Sequence, residues 1–494
     1  MTDAREVGRT ALAAGAWQEA RAAFARAIAQ DPAPDLYEGL GIAARYALDA
    51  DGAFAAHQEG YRLARQRHDP DAAARLAVQL GYDAYAFRSV PEAIGWAERA
   101  AMLVEGRPPS FASAFVPFIR GYMALLGEHD PARARQGCAA ALPLARQVGA
   151  VDLELMVVAL EGLALVAEGD VAEGMDRLDA AAAAAVGGEM TDADSIETVC
   201  CFVIDACKRV RDLERANQWC LRTREIATRF GDRQMFTVCR VHYADVLLWH
   251  GDLADAEHEL EAAVDELSRL RPGRDVDALV RLAELRRRQG RPAEARSVLE
   301  RSGTHRLHAL VEGLLCLDRG DAVSAGECAE RFLRRIGHAD LFERVAGLEL
   351  LVRAAAAGDR PRAEAAAAEI AGIAARAPNP PLRAAHLLAV ARLTASGGDD
   401  AGAVAPAEDA VDLRDAAGAR YDAAVARLEL AGMLERRGDV ARSSAVRHTA
   451  EDELLAIGAA VPSRPGGPLS ARETQVLRLL HAAWATTPSP PNWC

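Results

Sequence analysis

The chain has 494 residues, 58 basic and 72 acidic side chains for a formal net charge of −14, 51% apolar residues and only 5% aromatic ones. An acidic balance spread as mixtures along helices, with no basic block, argues against a surface that draws in phosphate backbones by net charge. No run of about eighteen uncharged apolar residues occurs, which excludes a membrane-spanning helix, and Asp3, Arg5, Glu6 and Arg9 break any apolar signal core near the start. Nine cysteines without a Cys-x-x-Cys pair read as packing thiols of a cytoplasmic protein.

The chain is punctuated by one turn, cleanest at Gly251-Asp252-Leu253-Ala254-Asp255-Ala256. Glycine takes the left-handed conformation that closes a helix, and the aspartate after it caps the next. The turn, or a degraded form of it, precedes a small residue at Ala20, Ala53, Ala93, Ala134, Gly174, Ala216, Ala256, Ala295, Ala325, Ala363, Ala403 and Ser443. The intervals are 33, 40, 41, 40, 42, 40, 39, 30, 38, 40 and 40 residues. A helix–turn–helix period of about forty residues predicts an all-α protein, an α-solenoid of about twelve helical hairpins over 1–460 in which each hairpin buries its apolar face only against its neighbours.

In chain order, helix 4–14 ends at Gly15 and helix 17–30 follows, with Trp17, Ala20, Phe24, Ala27 and Ile28 at helical spacing and a stop at Asp31-Pro32. This pattern of small residue, aromatic and terminal proline resembles a tetratricopeptide repeat. Hairpins through Tyr61 and Trp96 follow, and 106–113 is the longest early break. Leu153, Met156, Val157, Leu160, Leu163 and Ala164 form one apolar stripe, and the stretch 186–195 predicts a long loop. Helix 293–301 must be short before Ser302-Gly303-Thr304. Pro143 and Pro406 fall inside second helices, where each removes a hydrogen bond and should kink or delay the helix. Pro462, Pro465 and Pro468 with Gly466 and Gly467 make 461–468 a linker.

Chemistry-bearing patterns are sparse. Lys208, the sole lysine, has no glycine loop around it, so no P-loop nucleotide site is predicted. His305 and His308, with Cys316 beyond, lack a completing ligand set. Cys200, Cys207 and Cys220 read as packing thiols, and Glu257, Glu259 and Glu261 as a solvated face. Catalytic, metal and cofactor sites are therefore predicted to be none, and the protein is not expected to be an enzyme. First helices of successive repeats should line the groove, and Tyr82, Tyr85, Tyr122 and Tyr243 belong either to it or to the core between repeats.

Beyond the linker, Ser470 and Glu473 form a capping box ahead of the apolar stripe Val476, Leu477 and Leu480, which predicts one short C-terminal helix over 469–480. Leu469, Ser470, Arg472, Glu473, Val476, Leu477 and Leu480 resemble the opening helix of a LuxR-type DNA-binding domain. The resemblance implies a bacterial transcriptional regulator in which a tetratricopeptide-like region senses a protein, peptide or small-molecule effector. After Leu480 the sequence departs from that family: Pro488, Pro490 and Pro491 stand where a recognition helix should enter the major groove. The tail 481–494 is expected to be disordered and DNA binding lost through truncation. The alternative is a stand-alone adaptor that binds a protein or peptide in its concave groove.

Overall fold

The computed structural model describes residues 3–230, 233–270, 275–303, 305–336 and 341–462. These form 24 helices and no strand, arranged as twelve successive hairpins of a solenoid. The first six hairpins are α1 (Ala4–Ala13) with α2 (Trp17–Gln30), α3 (Pro34–Tyr46) with α4 (Ala50–Gln66), α5 (Pro70–Phe87) with α6 (Val90–Val104), α7 (Phe111–Leu126) with α8 (Pro131–Gln147), α9 (Val151–Glu168) with α10 (Val171–Gly187), and α11 (Ala193–Arg209) with α12 (Leu213–Phe230). The remainder are α13 (Arg233–His250) with α14 (Leu253–Leu270), α15 (Val276–Arg288) with α16 (Pro292–Arg301), α17 (His308–Asp318) with α18 (Ala322–Ile336), α19 (Arg344–Ala355) with α20 (Arg360–Arg376), α21 (Pro380–Ser396) with α22 (Asp400–Ala416), and α23 (Arg420–Arg437) with α24 (Val440–Ala456). No described helix is long and apolar enough to cross a membrane.

The turn behaves as its residues dictate. Gly438 closes α23 at φ 95°, and the Asp439 side chain accepts from the Arg442 N–H at the start of α24. Where glycine is replaced, the left-handed conformation persists at Leu48, His68, His129 and Arg211, each followed by an aspartate. The geometry of the hairpin therefore outlasts the residue that favours it, because packing on both sides holds the backbone there.

All twelve anchor positions fall in the first turn or two of second helices and all are buried. Ten are alanine, with Gly174 and Ser443 the exceptions. At Gly174 the helices approach so closely that an added Cβ would lie 2.6 Å from the Gly162 carbonyl oxygen, and one at Gly162 would lie 2.7 Å from that of Gly174. Two facing glycines set this close crossing, as Gly121 and Gly137 do between α7 and α8.

Several expectations need correction. The loop between α10 and α11 spans only 188–192, not 186–195, since Gly187 still belongs to α10 and the Asp192 side chain caps α11 through the Ser195 N–H. Pro143 and Pro406 neither delay nor end their helices: α8 and α22 run through them, as α7 does through Pro117. The cost of an internal proline, about 3 kcal/mol, is outweighed by the buried faces Ala134, Cys138, Ala141, Ala145 and Ala403, Ala407, Ala410. The short helix before Ser302 is observed as the ten-residue α16.

The superhelix closes on itself. In hairpin ten, Arg376 donates from Nη1 to the Glu168 carbonyl of hairpin five at 3.0 Å. In hairpin twelve, Arg420 donates from Nε to the His250 carbonyl of hairpin seven at 2.6 Å and pairs with Asp252. Both contacts join hairpins five apart, which sets the length of one turn. A separate polar network ties the N-terminal hairpins: Asp83, with no exposed surface, accepts from Arg45 Nε at 2.8 Å and lies 2.5 Å from His57 Nδ1.

Two variants probe this packing. Gly174→Ala is expected to destabilise the chain by about 1–3 kcal/mol in urea unfolding, although alanine occupies ten equivalent positions; an unchanged midpoint would show that α9 and α10 separate freely. Asp83→Ala, which strands a buried guanidinium, is expected to cost about 3–5 kcal/mol by the same measurement.

Candidate functional site

The last seven hairpins wrap around a cavity of about 2020 Å³. Its walls come chiefly from the first helices α11, α13, α15, α17, α19, α21 and α23, and residues Gly458 to Pro462 close one side. That segment is tied down where the Ala460 N–H donates to the Arg288 carbonyl at 2.8 Å. First helices face inward here as the repeat pattern requires, because the second helices carry the outer turn of the superhelix.

One wall is a ladder of ion pairs running across neighbouring helices. Lys208 Nζ lies 2.5 Å from Asp245 Oδ2, Asp245 also pairs with Arg281, and Arg281 pairs with Asp277, which accepts from His305 Nε2 at 3.2 Å. Burial alone would raise the carboxyl of Asp205, but Arg209 and Lys208 hold it at about 2. Burial and Lys208 together push His242 down to about 4, so its ring is neutral at pH 7. Further along, Glu284 accepts from Arg287 Nε at 2.7 Å and Arg288 Nε at 2.8 Å, and those arginines overcome burial to hold it at about 2. Glu429 takes a two-pronged grip from Arg392 at 2.8 and 2.9 Å and is likewise held at about 2 against burial.

Between the charged helices α15 and α19 the lining turns apolar. Leu310, Leu314 and Leu317 lie at i, i+4 and i+7 on α17, all half-buried and all facing the cavity. Trp249 and Tyr421 add aromatic surface, each beneath a guanidinium: Arg211 sits 5.4 Å from the Trp249 centroid and Arg288 4.3 Å from that of Tyr421. Such stacking holds a flat cation against a ring without using all its donors.

Arg281 Nε is buried without a hydrogen bond although Asp245 lies beside it, and two further guanidinium groups of the lining are incompletely satisfied. Arg353 on α19 faces the cavity and has no hydrogen bond or ion pair among the described residues, while the Arg392 Nη1 is buried and lacks a partner. Arg353 is exposed to the cavity, whose surrounding walls desolvate it and lower its pKa; Glu429 partly opposes this, and the neighbouring cations Arg392 and Arg287 reinforce it.

The residues singled out from sequence fall in different places. Leu469, Ser470, Arg472, Glu473, Val476, Leu477 and Leu480 lie outside the described residues, as does most of the linker before them. Tyr82, Tyr85 and Tyr122 do not line the cavity. They pack between hairpins, Tyr82 tilted against Phe115 at 5.2 Å and Tyr85 edge-on to Tyr122 at 5.5 Å, and Tyr243 lies under Arg224. Of the three glutamates read as a solvated face only Glu261 is exposed: Glu257 is half-buried, both pair with buried Arg286, and Glu259 is itself buried beside Arg240. His308 Nδ1 is 3.0 Å from Ser302 Oγ, so the two histidines take separate partners. Cys200 and Cys220 are buried, with thiols pushed by that burial up to about 11 and about 12, and are protonated packing groups at pH 7. Sequence reading missed the cavity arginines. Their signal is a charge recurring at the repeat period on otherwise apolar first helices, as from Arg353 to Arg392, 39 residues on.

No known protein family matches this sequence, and no curated protein does either. Solved structures of similar course include an APC/C hetero-tetramer Cut9-Hcn1, 13% identical, covering 96% of this chain and 95% of that one at a TM-score of 0.37. A Rap protein complexed with competence and sporulation factor is 11% identical over 86% of this chain and 99% of that one at 0.42. A human IFIT1 dimer with m7Gppp-AAAA is 13% identical over 83% and 89% at 0.43.

The depressed carboxylates make stability depend on acid. A glutamate held at about 2 in the folded chain, against about 4.3 when unfolded, stabilises fully above the higher value and loses that contribution as pH falls toward the lower. Glu429→Gln is therefore expected to lower the melting temperature at pH 7, with the gap to wild type shrinking between about pH 5 and pH 3. Thermal circular dichroism across that range reads it, and a constant gap would contradict the assignment.

Proposed function

We propose that this protein is a binding scaffold whose superhelical interior takes up an extended peptide segment of a partner protein. The observation that carries the reading is the cavity itself. At about 2020 Å³ it exceeds the roughly 300–1,000 Å³ of sites shaped for small molecules. Its walls are already formed, apolar on α17 and hydrogen-bonding on α15, α19, α21 and α23, the mixture that an extended chain with alternating side chains needs. The reading is of a binding protein rather than an enzyme. It also implies a cytosolic setting, supported by the free, mostly buried thiols among the described residues.

The test is selection of a phage-displayed random peptide library on the immobilised chain, followed by fluorescence anisotropy of the enriched sequences. Wild type is expected to enrich peptides that bind at about micromolar Kd, some −8 kcal/mol, and Leu314→Glu to lose them while its helical signal and melting temperature stay within a few degrees. No enrichment on wild type, or equal binding by the variant, would refute the reading.

The LuxR-like residues Leu469 to Leu480 support a second reading, in which this solenoid senses an effector for a DNA reader that begins there. Supplying the missing support and recognition helices after Leu480 is expected to confer DNA binding that weakens steeply with salt, while the chain as it stands shows none. If the restored chain gains no DNA affinity in a salt-dependent gel-shift titration, the second reading falls and the scaffold reading is left.

A further inference from the structure

Within the cavity, charge is unevenly spent. Lys208, Arg287 and Arg288 are each held by carboxylates, carbonyls or a ring, and Arg281 lies between the carboxylates of Asp245 and Asp277. Arg392 uses Nε and Nη2 on Glu429 and keeps a buried Nη1 without a partner. Arg353, one first helix back, has no partner at all among the described residues. Glu349, on the same helix as Arg353, is already held by Arg211 at 2.8 Å and by Arg414 at 3.5 Å, so it does not turn to Arg353.

Arg353 is exposed to the water of the cavity, so the five donors of its planar fork stand open to an incoming anion. Folding alone does not call for a cation at this position: Arg353 joins no hairpin to another. Leu310, Leu314 and Leu317 present the facing apolar strip within the same cavity.

We propose that Arg353 and the free Nη1 of Arg392 form an anion-receiving site, and that the bound peptide is acidic, placing a carboxylate there and an apolar side chain on α17. This deepens the scaffold reading and rests on it for the word peptide; the anion site itself rests only on the two arginines. A carboxylate accepts from the Arg353 fork in two parallel bonds and takes the orphaned Arg392 donor with a remaining lone pair. Side-chain and terminal carboxylates share this chemistry.

The test uses fluorescein-labelled six-residue peptides of alternating leucine and glutamate or leucine and glutamine, both C-terminally amidated, and the glutamine peptide with a free C-terminus. Anisotropy is expected to show wild type binding the glutamate peptide about tenfold or more tighter than its amidated glutamine counterpart. Arg353→Gln is expected to erase that preference with a melting temperature no lower than wild type, and Arg353→Lys to restore part of it. Tight binding of the free-terminus peptide, lost in Arg353→Gln, supports the site and assigns the anion to a chain end. Equal binding of both amidated peptides, or a preference that survives in Arg353→Gln, overturns the site. If library-selected peptides bind and none of these do, the site is overturned and the scaffold reading stands. If no peptide of either kind binds, the scaffold reading falls, and inorganic pyrophosphate then decides the site: a melting-temperature rise in wild type absent from Arg353→Gln supports it, and equal shifts overturn it.

Discussion

The close crossing of two helices at one small residue governs everything larger in this molecule. Ala20, Ala53 and the anchors after them let the backbone of each second helix rest against its first, and any larger side chain there would force the hairpin apart. Because the same contact recurs at nearly constant intervals, the same small rotation is added at each step. After five steps the chain meets itself, and Arg376 and Arg420 find carbonyls on the preceding turn. The cavity is the space left by that rotation.

What fills the inner surface follows from its being neither core nor open solvent. A first helix that faces the superhelix axis has one side on its neighbours and another on the enclosed space, so charge there must be neutralised by charge from the adjacent helix. Glu429 takes Arg392 from the preceding hairpin in this way, while Glu284 is neutralised by Arg287 and Arg288 of its own helix. In a chain of net charge −14, the unpaired cation is then conspicuous. The cavity concentrates arginine where the rest of the molecule disperses acid, and the aromatic faces of Trp249 and Tyr421 hold guanidinium groups in fixed planes. Preorganisation of this kind favours a ligand that arrives extended and adapts to the wall.

Local rules failed where long-range packing overruled them. Proline at 143 and 406 removes a hydrogen bond from the helix, but the buried alanines on either side bind the strand of helix to its neighbours and keep it continuous. The glutamates at 257 and 259 look solvated until Arg286 of α15 meets the first and Arg240 of α13 the second. Tyrosines that suggested a groove lie between hairpins because the stacking of successive repeats needs large flat side chains more than the cavity does.

The sequence by itself determined the hairpin, its period and the twelve small-residue crossings, since each depends on contacts within about forty residues and leaves a repeating mark. It also marked which helices of each pair would face inward. Only the tertiary structure decided which side chains share the cavity. Arg353 gains its meaning from Glu429, Arg392 and Leu314, which come from three other hairpins. A periodic sequence specifies each step of a superhelix, but which distant residues meet depends on the accumulated rotation, to which every crossing contributes a little.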